Sequence, residues 1–321
     1  MRHARVRAPR RFGDAFPGPE RILRRKVAIV AAACAGLLGA AVDLGWIDAL
    51  GGRVERDAAG AVLAVNLRAS WVSDGDLLEL ARMPKLQRLD LSRTRISDKG
   101  LAYLKAAPAL RDVNLAYAER IGDPAHAVIK EWKLLARLSL RGTVVADETA
   151  SAAASLPMLE SLDLADSIVG DVGVEALASA PKLKHLSLGN VRMSEVGYQS
   201  LRQLTGLSTL DLAGGRHRGF NTLSERSVQA IASLRQLRVL KLGHLKFPSK
   251  SFVLLTALAT LEDLGLEFCP DVTDDIAPHL AAWKSLRRVD LTGSKMTAAG
   301  VAKLRGDRPD IQVLWQPPAT P

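Results

Sequence analysis

The sequence predicts an α/β solenoid, in which one short strand–turn–helix unit is stacked on itself along most of the chain. The template is Leu86 to Pro108, LQRLDLSRTRISDKGLAYLKAAP. Moved along by 24 or 25 residues it fits again, giving ten units with a single one of 30 residues. A second observation is the placement of the apolar residues. Leu89 and Leu91 alternate as on a strand, whereas Leu101 and Leu104 are spaced as on one helix face. The third is composition: aromatics are only 4% of residues, so leucine and alanine must do the packing, which suits thin repeated layers.

Residues 1–26 form a basic tail, with nine Lys/Arg against Asp14 and Glu20, a net +7 of the chain's +10. Residues 27–50 carry −2 and everything beyond them +5. Because the basicity is concentrated in the tail and no basic stripe marks the repeats, the charge does not point to nucleic acid. Behind Arg24, Arg25 and Lys26 comes an uncharged run from Val27 to Val42, which reaches bilayer-spanning length only if carried on to Ile47. Residues 27–50 therefore read as a transmembrane signal-anchor, contacting the membrane through residues 27–47, or as a cleaved signal peptide. The anchor is favoured because no clean A-x-A site precedes the folded part. Twin-arginine export and a lipoprotein role for Cys34 both match their signals poorly, and a buried helix in a cytosolic protein is the bland alternative. Either export reading places the repeats outside the cytoplasm, periplasmic or at the cell surface.

Residues 51–61 read as a hairpin, Val54–Arg56 turning through Asp57-Ala58-Ala59-Gly60, which would shield the open end of the stack. The array occupies 62–310. Residues 311–321 supply a last strand, IQVLW, and a proline-rich tail that stops further pairing. Strand triplets such as Val62/Val65/Leu67, Leu159/Leu162/Leu164 and Leu286/Val289/Leu291 meet their neighbours in one core, because no unit can bury its own leucines. The slot after the turn is often acidic: Asp74, Asp98, Asp123, Asp147, Asp171, Glu195, Glu225 and Asp274. Without a glycine-rich ligand loop this row is not a calcium site, and each acid is expected to cap its own helix. Cys34 and Cys269 have no metal-ligand spacing, and a disulfide between them is not expected.

A period near 24 with the spacing L-x-x-L-x-L marks a leucine-rich repeat horseshoe, with a parallel concave sheet and short convex helices. The turn Thr94, Ile96, Ser97, Asp98, Gly100, Leu101 resembles that of bacterial exported leucine-rich repeat proteins. Cys269-Pro-Asp-Val-Thr-Asp274 resembles the cysteine-containing subtype of F-box repeat proteins. The segment before the repeats is not an F-box, so the ubiquitin-ligase role of those relatives does not follow. The asparagine slot of other subtypes holds Ser70, Thr94, Ala118, Thr143, Ser167 and Cys269. The resemblance implies a binding scaffold.

No nucleophile elbow, phosphate loop, zinc signature or dinucleotide fingerprint occurs, and the six histidines are scattered, so the sequence points to no enzyme, cofactor or small-molecule substrate. Strand alternation places Arg88, Arg137 and Asp163 on the concave face, which carries no aromatic anchor of the kind interface hot spots favour. The long unit inserts AGGRHRGFNT after Leu212, and insertions in such arrays emerge as loops. Arg216, His217, Arg218 and Phe220 in this loop, with Tyr117 and Phe268 just past their strands, are the candidate contacts for an acidic protein partner. The functional expectation is a non-catalytic protein-interaction scaffold of the cell envelope. Its alternatives are an envelope spacer and a cytosolic repeat adaptor.

Overall fold

The computed structural model describes residues 44–215 and 221–317, and the folded unit runs from Trp46. The apolar run 27–42 lies outside the described residues. After a short helix, Gly45–Ala49, the chain forms β1 (Arg53–Arg56) and β2 (Val62–Asn66), which pair antiparallel with a bulge at Glu55/Arg56. The Asp57 carboxylate accepts from the amides of Ala59 and Ala61, closing the turn between them. From β2 onward every step in the main sheet is parallel: β3 (Arg88–Asp90), β4 (Asp112–Asn114), β5 (Arg137–Ser139), β6 (Ser161–Asp163), β7 (His185–Ser187), β8 (Thr209–Asp211), then β10 (Val239–Lys241), β12 (Asp263–Gly265), β13 (Arg288–Asp290) and β14 (Gln312–Leu314). Two short strands, β9 (Asn221–Thr222) and β11 (Leu245–Lys246), pair parallel away from this twelve-stranded sheet. The register keeps identical slots abreast, Leu138 beside Leu162 and Leu162 beside Leu186.

The centre of each strand points into the core: Leu89, Val113, Leu162, Leu210 and Leu264 are all buried. Opposite them lie short helical pieces, some α throughout (Asp147–Ala154, Ala298–Asp307), others starting as α and tightening, as Asp98–Leu101 does into Ala102–Ala106. Two large side chains are also buried in the stack. The Trp132 and Trp283 indoles each donate to a carbonyl of the preceding repeat, Leu104 at 2.9 Å and Leu258 at 3.0 Å.

The acidic row does not do what its position in sequence implies. Seven of the eight carboxylates, all but Glu225, accept from the next repeat. Asp74 takes the Ser97 amide (2.7 Å) and hydroxyl (2.6 Å). Asp98 takes the Gly122 amide, and Asp147 the Gly170 amide at 2.6 Å. Asp123 takes the amides of Ala146 and Thr149 and the Thr149 hydroxyl (3.0, 2.9 and 2.7 Å). Asp171 takes the Ser194 amide and hydroxyl, Glu195 the hydroxyls of Ser224 and Ser227, and Asp274 the Thr297 amide and hydroxyl. The row is a ladder that stitches neighbours together at the point where each helix begins with unbonded amides.

This ladder accounts for the S-D-x-G turn. A Cβ on Gly100, Gly173 or Gly197 would overlap the carboxylate of Asp74, Asp147 or Asp171 in the repeat before. Where the preceding repeat carries Ser249 in place of an acid, the same slot holds Ile276, a large residue, buried. The glycine is dictated by a group one repeat away, not by its own helix.

Candidate functional site

The sheet surface is built from three columns. In the central one, Asn66, Asp90, Asn114, Asp163, Asp211 and Asp290 each accept from the amide two residues later, at 2.9–3.1 Å. These are turn-forming contacts of the Asx type, and they explain why this column is short and polar. Three residues past this column the backbone is left-handed in most repeats: Ala69, Arg93, Tyr117, Asp166, Asn190, His244 and Phe268 have φ between 54° and 60°. A side chain there stands out along the rim of the sheet. At equivalent positions Gly142 and Gly293 supply the conformation at no steric expense, and the rings of Tyr117 and Phe268 lie over them.

The predicted concave residues are tied into pairs within the chain. Arg88 bonds Glu55, and Arg137 reaches Asp112 through both Nε and Nη2 (2.9 and 2.7 Å). Asp163 receives Nε of Arg141 at 2.9 Å, and that guanidinium also reaches Asp166 and Ser187. Further along, Lys241 meets Asp263 at 2.7 Å, while burial raises the Glu267 carboxyl above its ordinary range as it lies over Gly243 and Gly265. His185 bonds the Thr209 hydroxyl at 3.0 Å. Much of the charge on this face is therefore matched internally.

The rim is different. Tyr117 is 36% exposed, with the Arg93 guanidinium 4.8 Å over its ring; Phe268 stacks on His244 at 4.7 Å with planes 13° apart. Sequence reasoning paired Tyr117 with Phe268 but missed Trp71, which is 59% exposed and carries Arg95 over its ring at 5.1 Å. Its signal was faint: Trp71, Arg95 and Arg120 share one slot of successive repeats, a relation visible only once the units are superposed. Arg216, His217, Arg218 and Phe220 lie outside the described residues. Both ends of their loop are fixed on the rim side, since the Gly215 amide donates to Asn190 and β9 pairs with β11.

A family model described as Leucine Rich repeat matches residues 82–105 and 155–178. The fold is a leucine-rich repeat solenoid. Among solved structures, an internalin (inlF) from Listeria monocytogenes is similar, with TM-score 0.53, 18% identity, and coverage of 74% of this chain and 69% of that one. An internalin C2 (inlC2) of the same organism gives TM-score 0.45 at 19% identity over 74% and 81%. The ectodomain of the Arabidopsis receptor kinase HAESA, solved with a peptide hormone, gives 0.44 at 20% over 76% and 40%. No curated protein matches the chain. The family match names no catalytic activity. Among the described residues no helix is long and apolar enough to cross a membrane, and no group of three or more His, Cys, Asp or Glu side chains could hold a metal ion.

Proposed function

We propose that the array is a protein-binding scaffold of the cell envelope that engages its partner through the exit-turn rim. The observation that carries this is the left-handed slot, which holds Arg93, Tyr117, His244 and Phe268 outward at fixed spacing while the sheet beside it neutralises its own charge. Left-handed backbone at non-glycine residues is disfavoured by about 1 kcal/mol or more, so the stack must hold it there. Aromatic and arginine side chains so presented are the usual anchors of interfaces. The loop bearing Arg216, His217, Arg218 and Phe220 leaves from the same rim and is proposed to extend it toward an acidic partner surface.

In-cell crosslinking with the full chain tests the reading. One reproducible partner, weakened when the loop is shortened to the 24-residue template, is the expected outcome. Recovery of only abundant envelope proteins would leave a spacer role instead. The envelope location rests on the run 27–47 and has its own check: a reporter active only outside the cytoplasm, fused after Pro321, should work. A fusion active only in the cytoplasm would remove both the anchor and the signal-peptide readings.

A further inference from the structure

At the N-terminal end of the rim, Arg93, Thr94, Arg95, Tyr117, Glu119 and Arg120 line a cleft of about 530 Å³. Its cations differ from those of the sheet. Among the described residues none of the three guanidiniums has a carboxylate within 4.0 Å, Glu119 of the same cleft included. Two of them are instead seated on rings, Arg93 on Tyr117 and Arg95 on Trp71. A guanidinium lying on an aromatic face keeps its N–H edges free, and those edges match the two oxygens of a carboxylate. Arg120 is fixed by its backbone, which forms a parallel bridge with Ser97. Three guanidiniums and the single carboxylate of Glu119 leave the cleft net positive, and an incoming anion relieves the remaining repulsion.

From this geometry we propose that the cleft binds an acidic side chain of a peptide segment. Glu119 favours a peptide over a phosphate dianion: it repels the second charge, and it offers an acceptor for a backbone N–H. The proposal rests on the scaffold reading and gives it a partner chemistry at one place.

The test uses the full chain, a fluorescein-labelled peptide of alternating Glu, Asp and Ala, its Gln/Asn counterpart, and inorganic phosphate as competitor. The acidic peptide should bind with an affinity that falls as salt rises. Arg95→Gln with Arg120→Gln should weaken it by at least about tenfold, the scale of losing a charge-assisted contact. Arg238→Gln, which removes an exposed arginine paired with Glu262, should leave binding unchanged and serves as the control for general charge. The proposal is overturned if the double variant binds like the parent, if the Gln/Asn peptide binds equally well, or if phosphate displaces the peptide at matched concentration. Each of those results leaves the crosslinking outcome where it stands, so failure of the cleft is separable from failure of the scaffold.

Discussion

The carboxylate ladder is continuous from Asp74 to Glu195, and it is broken one repeat later. On the continuous side each acid finds a donor in the next turn, and the slot opposite it holds a small residue, Gly100, Ala125, Thr149, Gly173, Gly197 or Ser227. At the break, Glu225 faces Pro248, which has no amide proton to give, and its carboxylate is 3.6 Å from the Lys250 ammonium instead. The Ser251 hydroxyl, which occupies the slot of Ser227, is buried with no partner among the described residues. The next repeat offers Ser249, and the acid returns only with Asp274. The interruption directly follows the 30-residue unit. Repeats in a solenoid touch only their neighbours, so coupling along the stack is set interface by interface. This array therefore has a strong and a weak stretch of stitching, laid over a buried apolar core.

The largest effect should come from the core itself. Leu162 is 1% exposed between β5 and β7, and Leu162→Ala should cost about 2–5 kcal/mol by denaturant unfolding. Amide exchange should show the loss spreading through residues of the continuous ladder and fading beyond Glu225. Equal loss of protection on both sides would mean that the break does not uncouple the halves.

Next comes the ladder. Asp123→Ala removes three acceptor contacts at once and should cost about 1–3 kcal/mol, while Ser249→Ala at the break should fall within about 0.5 kcal/mol of the parent. The pH dependence sharpens this. Burial alone would raise the Asp123 carboxyl, but the Thr149 hydroxyl and the Ala146 and Thr149 amides together hold it below its ordinary range. A depressed carboxyl stabilises the fold above its unfolded pKa and loses that contribution as pH falls through the folded one. The gap between parent and Asp123→Asn should therefore close in acid, below the ordinary aspartate range. Asp98 behaves oppositely, because burial raises it and the Asp123 and Asp74 charges add to the rise. Its contribution is fully present below the unfolded pKa and is lost as pH rises through the folded one, so Asp98→Asn should match or exceed the parent at neutral pH. If both variants respond to pH alike, the ladder is not electrostatically graded.

How far the sequence announces all this follows from distance along the chain. The strand slots were legible because L-x-x-L-x-L repeats within a few residues and each leucine reports its own burial. The S-D-x-G turn was legible as a pattern, but its cause was not, since the Asp171 carboxylate and the Ser194 and Gly197 it constrains are 23 and 26 residues apart. Helix capping by the nearest amides was the local reading, and the inter-repeat contact overrode it. The arginine–ring stacks escaped notice for the same reason: Trp71 and Arg95 belong to different units. Arg88, Arg137 and Asp163 were placed correctly on the sheet by alternation, yet alternation carries no information on the Glu55, Asp112 and Arg141 that pair with them.

The glycine slot gives a double-mutant test of moderate size. A Cβ on Gly197 meets chiefly the Asp171 side chain, so Gly197→Ala should cost about 1–3 kcal/mol in the parent. In an Asp171→Ser background the overlap is gone, and alanine's better helix propensity, about 1 kcal/mol, should make the same change neutral or stabilising. A cost that is identical in both backgrounds would show that the glycine serves its own backbone and not the ladder.

The smallest effect, and the one that bears most directly on the comparison, is repair of the break. Glu195 shows what a glutamate in this row needs: hydroxyls at Ser224 and Ser227, which hold its carboxyl below the ordinary range. Ser251 already occupies the slot of Ser227, unbonded among the described residues, so Pro248→Ser supplies the missing hydroxyl of the first position. Two hydroxyl contacts to a carboxylate are worth a few kcal/mol at most, less what is lost by screening at an exposed site. Removing the proline gives back about 0.4–1 kcal/mol of unfolded-chain entropy. The balance predicts a net gain of about 1 kcal/mol, together with exchange protection that now passes from residues before Glu225 to residues after Ser251. If Pro248→Ser destabilises the chain, the proline is there to fix the turn, and the gap in the ladder is a consequence of that turn.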